Sequence, residues 1–512
     1  MRHWFIVGLL STILFPSTAQ AKWLRADTTH FILYSDGTER ELREDAVKVE
    51  RFDQMMRVIS GIGDDSGQVK LTVYFVRTDK AVQSLSTDKA KNLAGFYNAS
   101  ASGAIAVVPR YADGQRESDS VAETADIILF HEYAHHLMLQ YFPASYPEWY
   151  VEGFAEYIGN SRLEKGGLVK VGLPNVNRAY SLLESKPFPI ETLLGSRVDV
   201  SNATRTDQFY ARSWLLTHYL TMAPARKGQL ATYLKAVGSG QPSLDAARAV
   251  FGDLKVLDKE ISRYLLGAIA YRKLSGLPPL SQNFAVRPLD EGEGEVLLLQ
   301  MQLSRGTKAD EAEPLAVKLR ALAARYPTHR AVMTALAEAE LDAKHPAAAL
   351  TAADAALKAD PLNGRAQLWK GLAMMRSLDD ANDDAKPKWA AARSWIVKAN
   401  RSNPEDPLPL ISYFQSFSIE GKAAPSVALD GLAKAIELVP QDSGTRITYA
   451  MAMAQKKKYA EAIAAIRPVA YNPHGGGSAT FARNLITRFE KARDTGSDLD
   501  ETDQPVEEPA KL

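Results

Sequence analysis

The chain contains no cysteine among its 512 residues. Disulfides are excluded, and no thiolate is present to ligate a metal or act as a nucleophile. Net charge is missing too: Lys and Arg number 61, and so do Asp and Glu. No global field exists to recruit nucleic acid or an acidic membrane. Long apolar runs are scarce. Trp4 to Phe15 is too short to span a bilayer, and no later run reaches that length. Any catalysis must therefore use His, carboxylates, hydroxyls or a bound metal.

That early apolar run follows Arg2 and His3 and precedes Ala19-Gln20-Ala21. A positive start, a short apolar stretch and a small-x-small site predict a cleaved secretory signal over residues 1–21. The expected location is a bacterial periplasm or the medium, where a disulfide-free protein can rely on its core. No integral membrane segment is expected after cleavage. The remainder is too long for one core and predicts two or three domains.

Strand and helix periodicities alternate early. His30 to Ser35 alternates and is β-rich, and Asp36-Gly37 closes it. In Glu39–Ile59, Leu42, Ala46, Val49, Phe52, Met55 and Met56 recur at helical spacing. Val69–Val76 and Gly103–Pro109 read as further strands, the second closed by its proline. Asp119–Phe142 is the strongest helix pattern. Pro143 and Pro147 bracket a tight connection to a second helix, Glu148–Ile158. Helices are expected at Phe209–Thr221, Gly228–Ala236, Leu244–Val250 and Leu257–Arg272. The fold class is α+β, a small mixed sheet with a helical portion, over residues 22–282.

From residue 283 to 493 the composition shifts to alanine, leucine and alternating charge. Pro327, Pro361, Pro404, Pro440 and Pro473 stand in similar contexts, 34, 43, 36 and 33 residues apart. The segments Ala355–Pro361 and Ala433–Pro440 are near-copies of one helix end. This period resembles tetratricopeptide repeats, which implies an all-α solenoid able to hold a protein partner. The longest interval carries an insertion near Asp379–Lys388. Residues 494–512 are acidic and poor in apolar side chains, which predicts disorder.

The chemistry concentrates in His131-Glu132-Tyr133-Ala134-His135. On a helix, positions i and i+4 are about 40° apart around the axis, so both imidazoles face one ion. Glu132 lies about 100° further round and can take a proton from a bound water. A third ligand is needed. The Pro147 helix must fold back across the first, and it carries Glu152 and Glu156 on one stripe. Glu152 is the candidate ligand, with Glu156 hydrogen-bonding a histidine's free nitrogen. Glu148 shares the stripe and rivals both. His136 points away from the other two.

These residues resemble the gluzincin clan of zinc peptidases, which contains thermolysin and the aminopeptidase N family. Trp149-Tyr150-Val151-Glu152-Gly153-Phe154-Ala155 is similar to the W-x-x-E-G-x-A box of the aminopeptidase branch. The resemblance implies Zn²⁺ on His131, His135 and Glu152, with Glu156 as a supporting acid. The export signal, HEYAH, EGFAEY and repeat tail together resemble bacterial exported peptidase-like proteins of that clan. Two departures matter. Fewer residues separate His135 from Glu152 than in the aminopeptidase branch, the shortening falling at Pro143–Pro147. That branch also carries a G-x-M-E-N segment whose Glu holds the substrate amine, whereas Ser102–Ala106 here has no acid.

Hydrolysis needs a donor for the oxyanion on the scissile carbonyl. The Phe209–Leu220 segment offers Tyr210 and His218, with Tyr210 preferred. Arg212 is available for a substrate carboxylate or an acid of the chain. The Ala104-Ile105-Ala106 strand is the expected edge for main-chain pairing with an extended peptide. The expected function is thus zinc-dependent hydrolysis of peptide bonds through a zinc-bound water, with Glu132 as general base and a peptide or protein as substrate. The alternative is an inactive peptidase-fold adaptor that binds a protein partner through its repeats.

Overall fold

The computed structural model describes residues 23–63, 69–86, 95–111, 119–186, 188–195, 203–472 and 476–496. The predicted signal segment lies outside them, as does the tail beyond residue 496. Strand β1 (Leu24–Asp27) pairs with β2 (Phe31–Ser35), whose Phe31, Leu33 and Ser35 point inward. Thr38 opens α1 (Glu39–Ser60) with a capping box to Glu41, satisfying two orphan amides. The six apolar positions of the predicted stripe are all buried, and Gly61 ends the helix at a φ of 67°.

The chain continues through β3 (Leu71–Thr78), α2 (Asp79–Leu85), β4 (Phe96–Ser100) and β5 (Gly103–Tyr111). Then follow α3 (Asp119–Tyr141), α4 (Glu148–Gly159), β6 (Arg162–Leu163), β7 (Val169–Val171), α5 (Ala179–Leu183), α6 (Ile190–Gly195) and α7 (Ala203–Met222). The elements α8 (Gln229–Gly238), α9 (Ser243–Phe251), α10 (Leu254–Leu265), β8 (Arg272–Leu274) and β9 (Ala285–Pro288) complete the α+β part. The main sheet has the order β4-β5-β3-β2-β1-β9. Its inner pairs β2–β3 and β3–β5 are parallel and the outer pairs antiparallel. Strands β6, β7 and β8 form a small second sheet.

Three expectations are corrected here. Pro109 does not close its strand: it pairs with Val76, where β5 has run past the end of its β4 partner and that side needs no amide donor. The helix expected to reach Arg272 stops at Leu265, and Arg272–Leu274 pairs with β7 instead. Residues 285–288 belong to the main sheet although the composition has already shifted.

Eleven helices follow β9 among the described residues. They are α11 (Glu291–Ser304), α12 (Ala309–Arg325), α13 (Arg330–Asp342), α14 (Pro346–Ala359), α15 (Gly364–Asp380), α16 (Lys386–Ser402), α17 (Pro407–Ile419), α18 (Ser426–Leu438), α19 (Ser443–Gln455), α20 (Tyr459–Ala470) and α21 (Gly476–Thr495). Pro327, Pro361, Pro404 and Pro440 each fall between two helices, as a residue without an amide donor should. Pro473 lies outside the described residues. The long interval is absorbed by α15 and α16, 17 residues each, against 13 and 14 for α13 and α14. Small side chains let the helices approach closely: Ala349, Ala353 and Ala356 are fully buried.

The two parts share a core. One sheet face, with Phe31, Leu33, Val73, Ala104 and Ala106, packs on α1 and α3. The other, with Tyr74, Val76, Ile105 and Val107, is covered by α2 and by Leu297 and Met301 of α11. Among the described residues no helix is long and apolar enough to cross a membrane.

Glu338 on α13 carries a testable charge. Burial, with the charge of Asp342, pushes its carboxyl up to about 8 against the pull of Arg365. The native state thus holds a proton that the unfolded state releases near its ordinary value of 4.5. That contribution is complete at low pH and is lost as pH rises through about 8. Glu338→Gln is expected to match wild type in thermal melts near pH ~5. Near pH ~8.5 it should be more stable, by a few kcal/mol at most on the order expected for such a shift. Melts that shift equally at both pH values would contradict this.

Candidate metal centre

Helix α3 is buried on most sides, so its orientation is fixed by packing. Phe130 stacks on Phe52 of α1, and Leu129, Ala134 and Leu137 fill the same core. Tyr133, inside HEYAH, donates its hydroxyl to Asp53 on α1, which also accepts from Arg57 at 2.7 Å. His136 faces that side as expected, with Nδ1 3.2 Å from the Tyr97 hydroxyl. Burial, helped by the Arg57 charge, pushes its imidazole down to about 3. His131 and His135 are left facing the opposite way.

Helix α4 folds back over α3 after the Phe142–Pro147 connection. Trp149 anchors its start by donating to the Tyr233 hydroxyl on α8 at 3.0 Å. Two glycines let α4 sit between α3 and α7. A Cβ on Gly159 would lie 3.1 Å from the Ile127 carbonyl and 3.3 Å from His131 Cβ. A Cβ on Gly153 would fall inside the van der Waals radii of Thr217 Oγ1 and the Ser213 carbonyl on α7. Gly153→Ala is therefore expected to force α4 and α7 apart, costing roughly 1–3 kcal/mol. It should weaken metal binding as well, because α4 carries Glu152. Calorimetry with a zinc titration checks both; an unshifted melt and unchanged affinity would remove this role for the glycine.

Three candidate ligands converge. His131 Nε2 and His135 Nε2 are 3.1 Å apart, and Glu152 Oε2 is 3.5 Å and 3.7 Å from them. The two histidines and Glu152 form a group able to hold one metal ion, and Glu148 is not in it. Taking those three distances as a triangle, a point about 2.0 Å from every corner exists, which matches Zn–N and Zn–O bond lengths. Two imidazoles and one carboxylate are also a donor set that zinc accepts. The residues fit the ion. Glu152 is 1% exposed, so its charge acts in a poorly solvated place. Burial pulls the His131 imidazole down, but the Glu152 contact and the Glu156 and Glu132 charges outweigh it and hold it up at about 9.

Glu132 sits beside β4: a Cβ on Gly95, just before that strand, would be 3.6 Å from Glu132 Cγ. Glu156 Oε1 lies 3.7 Å from His131 Nδ1, beyond a direct hydrogen bond. Oε1 accepts from Arg178 Nη2 at 2.7 Å, and Glu156 Oε2 accepts from Asn175 Nδ2 at 2.6 Å. The Tyr210 ring is 6.3 Å from the His131 ring. The Glu152 charge, with burial and the Glu156 and Glu132 charges, holds its phenol well above the usual tyrosine range. Tyr210 is thus a protonated donor at neutral pH. Arg178 lies over the same ring, 5.2 Å from its centroid.

Two sequence expectations are corrected by this geometry. Ala104, Ile105 and Ala106 do not form an edge, because β5 is hydrogen-bonded to β3 on one side and β4 on the other. Among the described residues the outermost strand on that side is β4. His218 is a core residue: Nε2 donates to the Gly172 carbonyl at 2.8 Å and Nδ1 accepts from the Tyr264 hydroxyl at 2.9 Å. With both ring nitrogens engaged and no exposure, it is not placed to meet an oxyanion. Arg212 pairs with Asp258. Sequence reasoning missed Asn175, Arg178 and Gly95. Arg178 and Asn175 sit in an irregular stretch with no motif, and only the fold brings them to Glu156.

A second group, His30, Glu50 and Asp53, also brings metal-ligating side chains together. Asp53 is already paired there with the Arg57 cation, which opposes a metal ion.

No protein-family model matches the chain, and no curated protein matches it.

Proposed function

We propose that this chain is an exported, zinc-dependent peptidase of the gluzincin type, with tetratricopeptide-like repeats behind the catalytic part. The observation that carries the reading is the convergence of His131, His135 and Glu152 at distances one zinc ion would satisfy. Bound there, Zn²⁺ would supply a Lewis acid and an acidified water. The chain's own residues do the rest. Glu132 takes the proton from the attacking water and returns it to the leaving nitrogen. Tyr210 keeps its phenolic proton and offers it as a hydrogen bond to the oxyanion. Asn175 and Arg178 fix the position of the Glu156 carboxyl beside His131.

An extended peptide can pair with β4, the end strand of the sheet among the described residues, which begins beside Glu132. The absence of an acid in Ser102–Ala106 gives no anchor for a free amino terminus, so an aminopeptidase is not proposed. Export rests on the apolar start of the sequence. The test is cleavage of fluorescein-labelled casein by the full chain. Activity should vanish with 1,10-phenanthroline and return with added Zn²⁺; cleavage indifferent to the chelator would refute the reading.

A further inference from the structure

The turn joining β4 to β5 is held by the helical array. Ser100 Oγ donates to the Ser304 carbonyl at the end of α11, at 2.6 Å. The Arg365 guanidinium of α15 donates to the Ser102 carbonyl at 3.3 Å and pairs through Nε with Asp406 at 2.9 Å. The Ala101 amide lies near the carboxyl of Asp442, the residue that caps α19. The Ala101 methyl packs against two successive apolar clusters of the array. Helices separated by more than a hundred residues of chain thus converge on three residues of the turn, Ser100 to Ser102.

The other end of β4 meets the metal centre. A Cβ on Gly95, immediately before the strand, would crowd Ile128 and lie 3.6 Å from Glu132 Cγ, so the backbone here passes close to both. Five residues of extended chain bridge the two places, about 17 Å at the usual strand rise. Pairing with β5 fixes only the inner edge of β4. Its position over α3 depends on both ends being held, and one of those ends is held by the array. Further contacts seat the array against the catalytic part. Gln140 of α3 donates to the Leu438 carbonyl at 3.2 Å, and Ser145 in the α3–α4 connection donates to the Arg467 carbonyl at 3.2 Å.

We propose that the array is a clamp on β4, in which Asp442 and Arg365 are positioning residues. By holding the Ser100–Gly103 turn they set the rigidity and placement of the strand beside Glu132. An extended substrate pairing with that strand then meets a preformed edge. Only this last step rests on the peptidase reading; the clamp itself does not.

Hydrogen–deuterium exchange on the full chain tests it, using Arg365→Met and Ala101→Glu. The second variant puts a carboxylate against Asp442 and leaves every array residue intact. Amides of residues 96–103 should exchange about tenfold faster in both variants, while those of α18 to α20 keep their wild-type protection. Zinc per chain should not change. With labelled casein, KM should rise about fivefold and kcat stay near wild type, a split that general destabilisation would not give. Wild-type exchange rates at 96–103 in both variants, or faster exchange with unchanged KM, would overturn the proposal. A wild-type chain that cuts no casein would sink the peptidase reading and leave the exchange data to decide the clamp.

Discussion

Glu132→Gln is expected to lower kcat/KM by roughly a thousandfold while the chain keeps its zinc. Glutamine has the size of glutamate and cannot take a proton from water. Glu132 is not one of the three converging ligand groups, so metal content should not follow activity. Chelator-sensitive casein cleavage, measured beside zinc content, separates the two effects. Wild-type turnover in this variant would remove the general base from the mechanism. Loss of zinc together with activity would instead give Glu132 a ligand's role.

Glu152→Gln should do the reverse and act on the metal first. Its carboxylate supplies the only anionic corner of the triangle, and it comes from a different helix than the histidines. A neutral amide of the same volume leaves the packing of α4 on α3 and α7 in place. Zinc affinity should fall by more than about a hundredfold, beyond what loss of an outer hydrogen bond to a ligand costs. Competition with a chromophoric chelator gives the affinity, and circular dichroism shows whether the helices persist. Unchanged affinity would move the third ligand elsewhere, with Glu148 the first residue to examine.

The local parts of this site were legible in the sequence, and the long-range parts were not. Helical spacing alone aligns His131 with His135 and swings Glu132 aside, because one helix sets all three. Glu152 could be named because a short proline-bounded connection leaves the next helix little freedom. Gly153 belongs to the motif and Gly159 lies just beyond it, yet the reason for both is the approach of α7 and α3, which no local pattern encodes. The edge strand was misassigned for a related cause. Ala104 to Ala106 has the stronger strand composition, and that follows from being buried on both faces inside the sheet. The true outer strand, Phe96–Ser100, is only half-buried and reads as a polar stretch. His218 could not be assigned from sequence because the partners that occupy it, Gly172 and Tyr264, are each 46 positions away.

The helical region shows the same division. Proline spacing marked where pairs of helices begin and end. Nothing in it indicated that α11 would cover the sheet or that α15 and α19 would reach the β4–β5 turn. The array is built into the α+β part through these contacts.

The zinc content of the purified full chain, measured with its X-ray absorption spectrum, tests the central claim most directly. The account predicts one zinc per chain, bound by two imidazole nitrogens and carboxylate oxygen, and lost in a His131→Ala, His135→Ala double variant. A chain that stays metal-free in excess Zn²⁺, or a double variant that keeps its zinc, would contradict it and favour a binding protein that does not cut.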